Sequence, residues 1–199
     1  NENGSYAIAE IRSQDNKDRW IVSLNLKKGT FQELDHQHDE AWIGGPGIPS
    51  YSFGRGTLGF LGDNETVYFQ SEETGYSHLY TYNLKSKKKT QLTKGNWEVR
   101  NVNLSKDKKS FYLTTTTTHP GNRDFYKLEV ANAVLQPILT KDGAHEVSLS
   151  PDESTLIVRY SYKNKPWELY VAPNKKNTNL IQITTSTSES FKKYAWREP

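Results

Sequence analysis

The chain has 199 residues, of which 34% are hydrophobic and 12% aromatic, with a formal net charge of +3; that is enough apolar content for a packed core and excludes a disordered polymer. It contains no cysteine, which excludes disulfides, thiolate metal sites and a cysteine nucleophile. No apolar run approaches the ~20 residues that span a bilayer, and the lysines cluster at turns (Lys85, Lys87, Lys88, Lys89; Lys106, Lys108, Lys109; Lys175, Lys176), so no basic stripe points to nucleic acid.

The start, Asn1-Glu2-Asn3-Gly4, has none of the features of a secretory signal, and methionine is absent even at position 1. The expectation is a chain cut from a longer one, any signal lying upstream. Tyr6 to Ile11, Trp20 to Leu26 and Phe31 to Leu34 are short segments rich in β-branched and aromatic residues, and they read as strands joined by hairpins. His36-Gln37-His38-Asp39-Glu40 sets two imidazoles at i and i+2, on one face if extended, among carboxylates. No third histidine is near, the spacing is that of any polar loop, and no metal is assigned. Trp42-Ile43-Gly44-Gly45-Pro46-Gly47 follows, and Arg55 lies in Phe53-Gly54-Arg55-Gly56. A guanidinium there suits a peptide carbonyl or carboxylate. No Lys-Ser or Lys-Thr follows these glycines, so they are not a phosphate loop.

From here the chain repeats. Leu61 to Phe69, Leu79 to Leu84 and Gln91-Leu92-Thr93 recur as Leu104 to Leu113, Phe125 to Val130 and Ile138-Leu139-Thr140. They recur again as Leu149 to Val158, Leu169-Tyr170-Val171 and Gln182-Ile183-Thr184. Asp63, Asp107 and Asp152 mark one landmark and Thr93, Thr140 and Thr184 another, and both give a period of about 45 residues. The Tyr6–Leu34 stretch is an earlier copy without the preceding aspartate turn, so the chain is expected to open inside a unit. Aspartate suits these turns because its carboxylate accepts from backbone amides two residues on. No stretch sustains apolar positions at i, i+3, i+4 and i+7, so helix is expected to be minor.

Antiparallel units of this length are the size of propeller blades, and the fold expected is an all-β propeller fragment of successive four-stranded blades. The boundaries read are 1–48 for a partial blade, 49–95, 96–143 and 144–193 for whole blades, and 194–199 for the start of a linker. Inner strands are expected from Pro49 to Phe53 or a little beyond, from Val99 to Leu104 and from His145 to Leu149. Thr114 to Thr118 reads as strand leading into the turn His119-Pro120-Gly121-Asn122. An arc of so few blades leaves two apolar terminal faces and open edges, and self-association is the expected consequence.

Ser71-Glu72-Glu73-Thr74-Gly75-Tyr76-Ser77-His78, with Trp97-Glu98-Val99 downstream, resembles the propeller of the dipeptidyl peptidase IV branch of the prolyl oligopeptidase family. So do His119-Pro120-Gly121 before Phe125-Tyr126, and Ser150-Pro151-Asp152 before Arg159-Tyr160-Ser161-Tyr162. Bacterial members of the Bacteroidetes type are most similar. The resemblance implies a periplasmic or otherwise extracytoplasmic location and a C-terminal α/β-hydrolase domain as partner, which the segment Trp196-Arg197-Glu198-Pro199 would approach. It also implies short peptides as substrates of the parent enzyme, with Trp42 and Arg55 as candidate substrate-binding residues; in this family an arginine is expected directly after the Trp-Val-Gly-like stretch, where this chain has Gly and Pro. No Gly-x-Ser-x-Gly elbow is present, so no catalytic residue is assigned, and no cofactor is implied. Glu72 and Glu73 are read as turn residues, because the family's substrate-binding glutamate pair belongs to a helical insertion of an earlier blade. The function expected is the non-catalytic part of a serine exopeptidase, and the alternative is a stand-alone interaction module.

Overall fold

The computed structural model describes residues 1–49 and 56–197. Two compact units divide the chain, Asn1–Asn101 and Val102–Pro199.

The first unit carries two antiparallel sheets. One is three-stranded, in the order β1 (Tyr6–Arg12), β2 (Asp18–Asn25), β3 (Thr30–His38). The other is four-stranded: β4 (Leu58–Phe60), β5 (Thr66–Ser71), β6 (His78–Asn83), β7 (Lys88–Gln91). The two share a core, with Ile21 and Leu34 meeting Val67, Phe69, Tyr80 and Tyr82. Val67 and Phe69 lie two apart on β5 and so point to the same face.

The second unit has two four-stranded antiparallel sheets. They are β8 (Val99–Leu104), β9 (Ser110–Thr115), β10 (Asp124–Glu129), β11 (Val134–Leu139), and then β12 (Ala144–Leu149), β13 (Thr155–Tyr162), β14 (Lys165–Pro173), β15 (Ile181–Gln182). Strand β8 begins in the first unit and ends in the second. Tyr112, Phe125, Ile138 and Leu139 pack against Leu156, Val158 and Tyr160. Alternation along β13 is strict: Leu156, Val158 and Tyr160 are buried, while Ile157 and Arg159 between them are exposed. One helix, α1 (Glu189–Lys193), is capped by the Ser188 hydroxyl, which accepts from the Phe191 amide.

The repeat read in the sequence is a repeat of hydrogen bonds. Asp63, Asp107 and Asp152 accept from the amides of Glu65, Lys109 and Ser154. The residue after each aspartate, Asn64, Lys108 or Glu153, takes φ near 58, 57 or 59°. Asn25 and Asn83 in turn hold equivalent later turns, each accepting from two following amides. The sheet β1-β2-β3 therefore aligns with the second to fourth strands of the sheet that follows it.

Two strand expectations need correction. The first strand of the second sheet is Leu58–Phe60 and Pro49 is outside any strand, whereas positions 50–53 of the expected strand lie outside the described residues. Strand β9 ends at Thr115, because the Thr118 amide and hydroxyl turn to the Asp124 carboxylate and draw Thr116 to Thr118 into the loop. The turn at His119–Asn122 is present, closed by the Asn122 amide on the His119 carbonyl at 2.9 Å.

Candidate functional site

Within the first unit, β3 delivers His36 and His38 to one end of its sheet, and the chain then runs through residues 39–49 across the loop joining β5 to β6. Between them lies a cleft of about 240 Å³ lined by His36, Gln37, His38, Asp39, Trp42, Ile43, Ile48, Glu72 and Glu73.

The walls are held by buried polar bonds. Arg19 is fully buried and grips Glu10 through Nε at 2.8 Å and Nη2 at 3.1 Å, while its Nη1 donates to the Gln70 carbonyl at 2.6 Å. An ion pair this dry is tolerable only because the guanidinium has further acceptors. Arg12 donates to the carbonyls of Ile43 and Pro49, and the Ile43 amide donates to the Asn16 carbonyl at 2.7 Å. From the other sheet, the Ser77 hydroxyl donates to the Pro46 carbonyl at 2.7 Å, and the buried Gln70 side chain donates to the Val99 carbonyl at 2.7 Å.

Glycine is required where this loop crosses Glu72. Gly45 has φ of +99°, and a Cβ there would lie 1.8 Å from Glu72 Oε1. The backbone thus approaches the carboxylate as no side-chain-bearing residue could.

The titratable groups divide by partner. Lys89 bonds the carboxylates of Asp35 and Glu73 and stands 5.0 Å from the Tyr80 ring. Asp18 Oδ1 lies 2.8 Å from both His36 Nε2 and His38 Nδ1. These bonds hold the Asp18 carboxyl below its usual range, and the Asp18 and Glu40 carboxylates raise the His38 imidazole. Trp20 stacks on His36 at 5.0 Å. The Asp39 carboxylate accepts from the amides of Ala41 and Trp42, which lowers its pKa.

Glu72 differs. Its carbonyl closes the turn by accepting from the Gly75 amide at 2.8 Å, but no hydrogen bond or ion pair of its carboxylate is found among the described residues. Burial, then the charges of Glu98 and Asp39, push it up to about 6, opposed only by Arg19. A half-buried, unpaired carboxyl in a cleft has the physical signature of a ligand-facing group.

Of the residues singled out in the sequence, Trp42 lines the cleft, and Arg55 lies outside the described residues. Glu72 and Glu73 do sit in the turn between two strands, yet with different fates: Glu73 is neutralised by Lys89, and Glu72 faces the cleft. Nothing in the sequence separates the two, since only the side-chain directions and the distant Lys89 do so. His36 and His38 do share a face, on Asp18. Among the described residues, no group of three or more histidine or acidic side chains has metal-binding geometry.

Comparison with known proteins agrees with this architecture. Residues 3–167 match the family described as the dipeptidyl peptidase IV N-terminal region. Dipeptidyl peptidase 4 of Arthroderma otae is 33% identical over 180 residues, which cover 86% of this chain and 22% of that protein. Dipeptidyl peptidase 4 of Trichophyton rubrum is 31% identical over 180 residues, covering 87% of this chain and 22% of the relative. The chain thus spans about a fifth of the length of these relatives. A crystal structure from Bacteroides ovatus, provisionally described as a dipeptidyl aminopeptidase IV, superposes with a TM-score of 0.68 at 21% identity, covering 90% of this chain and 28% of that one. Similar fold and matching sequence over most of its length establish that this chain belongs to the dipeptidyl peptidase IV N-terminal region family.

Proposed function

We propose that this chain is the non-catalytic propeller portion of a dipeptidyl peptidase IV-like serine exopeptidase, gating and orienting short peptides for an α/β-hydrolase domain elsewhere in the parent polypeptide. The observation that supports it is the family match over residues 3–167 in a chain without a Gly-x-Ser-x-Gly elbow. In this reading residues 49–95, 96–143 and 144–193 are successive blades, 1–48 is part of another, and 194–199 opens the linker. Trp42 and Arg55 contact peptide, and the parent works outside the cytoplasm.

Two experiments test the reading. Sequencing the parent gene past Pro199 is expected to show a hydrolase domain with its nucleophile elbow, and a stop codon would favour the interaction-module alternative. The 199-residue chain itself is expected to show no turnover of proline-containing dipeptide substrates, and turnover abolished by a serine-directed phosphonate would refute the assignment.

A further inference from the structure

We propose that the groove between β11 and β14, in the second unit, binds the carboxylate of a molecule with an apolar tail, with Lys141 as counter-charge and Thr178 as a hydrogen-bonding group.

The chain builds this groove by crossing from one sheet to the other. Strand β11 ends at Leu139, and the chain turns through Thr140 and Lys141 toward β12. After β14 it comes back to β11, which is the edge strand of its sheet. There Asn177, at a φ of +49°, and Thr178 donate their amides to the Pro137 and Ile138 carbonyls at 3.1 Å each. Tyr170 and Leu180 then pack against the core cluster that holds Ile138 and Leu139. The space left is about 430 Å³, within the range of small-molecule sites. Its walls combine the apolar carbon of these four residues with the polar groups of Thr140, Lys141 and residues 177–179.

Two independent observations point to a ligand. The first is an orphaned hydroxyl. Thr178 is 9% exposed, and its buried side-chain oxygen has no hydrogen-bond partner among the described residues. Elsewhere in this unit buried hydroxyls are paired, Ser110 with the Glu129 carboxylate and Thr115 with Thr117. A buried polar group without a partner is costly and rare, and this one belongs to a residue that lines an open groove.

The second is charge. Among the described residues, Lys141 alone brings a formal charge to the lining. Its ammonium lies 5.0 Å from the Tyr160 ring and has no carboxylate partner among the described residues; the neighbouring Asp142 carboxylate accepts from Asn122 Nδ2 at 3.1 Å. The side-chain amides of Asn177 and Asn179 also make no hydrogen bond among the described residues, and Lys175 and Lys176 add positive charge just before them. A cation entering the groove would meet an ammonium and no acid, and a wholly apolar ligand would leave the donors without acceptors. A carboxylate on an apolar tail answers both halves, its oxygens taking the ammonium and amide N–H groups and its carbon covering the apolar wall. Residues 170–180 lie beyond the 3–167 segment that carries the family match, so the family assignment neither supplies this site nor depends on it.

The test is an NMR titration of the backbone amides of the 199-residue chain at pH 7.5 with three probes: N-acetyl-alanyl-leucine, its C-terminal amide, and hexanoate. Saturation by the peptide acid alone identifies a peptide carboxyl terminus, and saturation by hexanoate, with or without the peptide, identifies an organic acid. The peptide amide is expected not to saturate. The signals expected to move are those of Thr140, Lys141, Thr178 and Asn179. Lys141→Gln should weaken acid binding about tenfold with the spectrum unchanged away from the groove. Lys85→Gln, at an exposed turn of the first unit, should bind as the parent does. Thr178→Val keeps the side chain's shape and the backbone bond to Ile138, and it should weaken binding about threefold. Equal binding of the peptide amide, unchanged binding by Lys141→Gln, an equal loss in Lys85→Gln, or no saturation by either acid up to roughly 10 mM would overturn the proposal and leave the family assignment standing.

Discussion

Replacing Glu72 by glutamine should make the protein more stable at neutral pH, although it removes a charged group from a polar cleft. In the folded chain the Glu72 carboxyl is pushed from 4.5 to about 6, chiefly by burial. A raised carboxyl binds a proton more tightly when folded than unfolded, so folding loses stability as pH rises from about 4.5 to 6 and stays penalised above. That interval corresponds to about 2 kcal/mol at roughly 1.4 kcal/mol per pH unit. The side chain is only half-buried, and solvent screening reduces the figure to about 1 kcal/mol. Glu72→Gln should recover this, raising Tm by about 2–4 °C at pH 7.5, with the advantage vanishing below about pH 4.5. Scanning calorimetry of both proteins at several pH values measures it. A variant equal to or less stable than the parent at pH 7.5, or one whose advantage persists at pH 4, would refute the claim that Glu72 is an unpaired, desolvated carboxylate.

Further expectations follow from the same geometry. Arg19→Ala leaves Glu10 partly buried without its cation and should cost about 3–5 kcal/mol in urea unfolding, and loss under 1 kcal/mol would show the pair to be solvated. Gly45→Ala forces a Cβ toward Glu72 at a φ of +99° and should lower Tm, which scanning calorimetry reads directly. Asp63→Ala removes the acceptor for Glu65 and Thr66 and should cost about 1 kcal/mol, checked by denaturant midpoint. His38 should titrate above its ordinary value of 6.5 in NMR and return toward it in Asp18→Asn. Phe31, Ile181 and Ile183 are 77%, 63% and 57% exposed; self-association through such faces should appear in light scattering across a dilution series, and a monomer at every concentration would rule it out.

The repeat, the all-β class and the turn chemistry were legible in the sequence because they are local. An aspartate at a turn binds amides two residues away whatever lies beyond, so Asp63, Asp107 and Asp152 announce equivalent hairpins. Strand alternation likewise marks Leu156, Val158 and Tyr160 as one face before any neighbour is known. The short first strand at Leu58–Phe60 was not legible, since Pro49 and the residues after it also carry strand-like composition, and its pairing with β5 is a contact between segments that composition does not contain. The threonine run ended early for a similar reason: β propensity favours strand through Thr118, but the Asp124 carboxylate six residues on offers a better partner than a ladder.

The cleft was the least legible part. Glu72 and Glu73 are adjacent and chemically identical, and the turn between β5 and β6 sends them in different directions. Glu73 then meets Lys89, sixteen residues away, while Glu72 comes to lie beneath Gly45, twenty-seven residues before it. The sequence by itself determined the turns, the periodic faces and the family, which depend on neighbours a few residues apart. Only the tertiary structure decided which carboxylates are neutralised and which is left facing solvent, because charge pairing depends on distances between segments that the chain order does not contain.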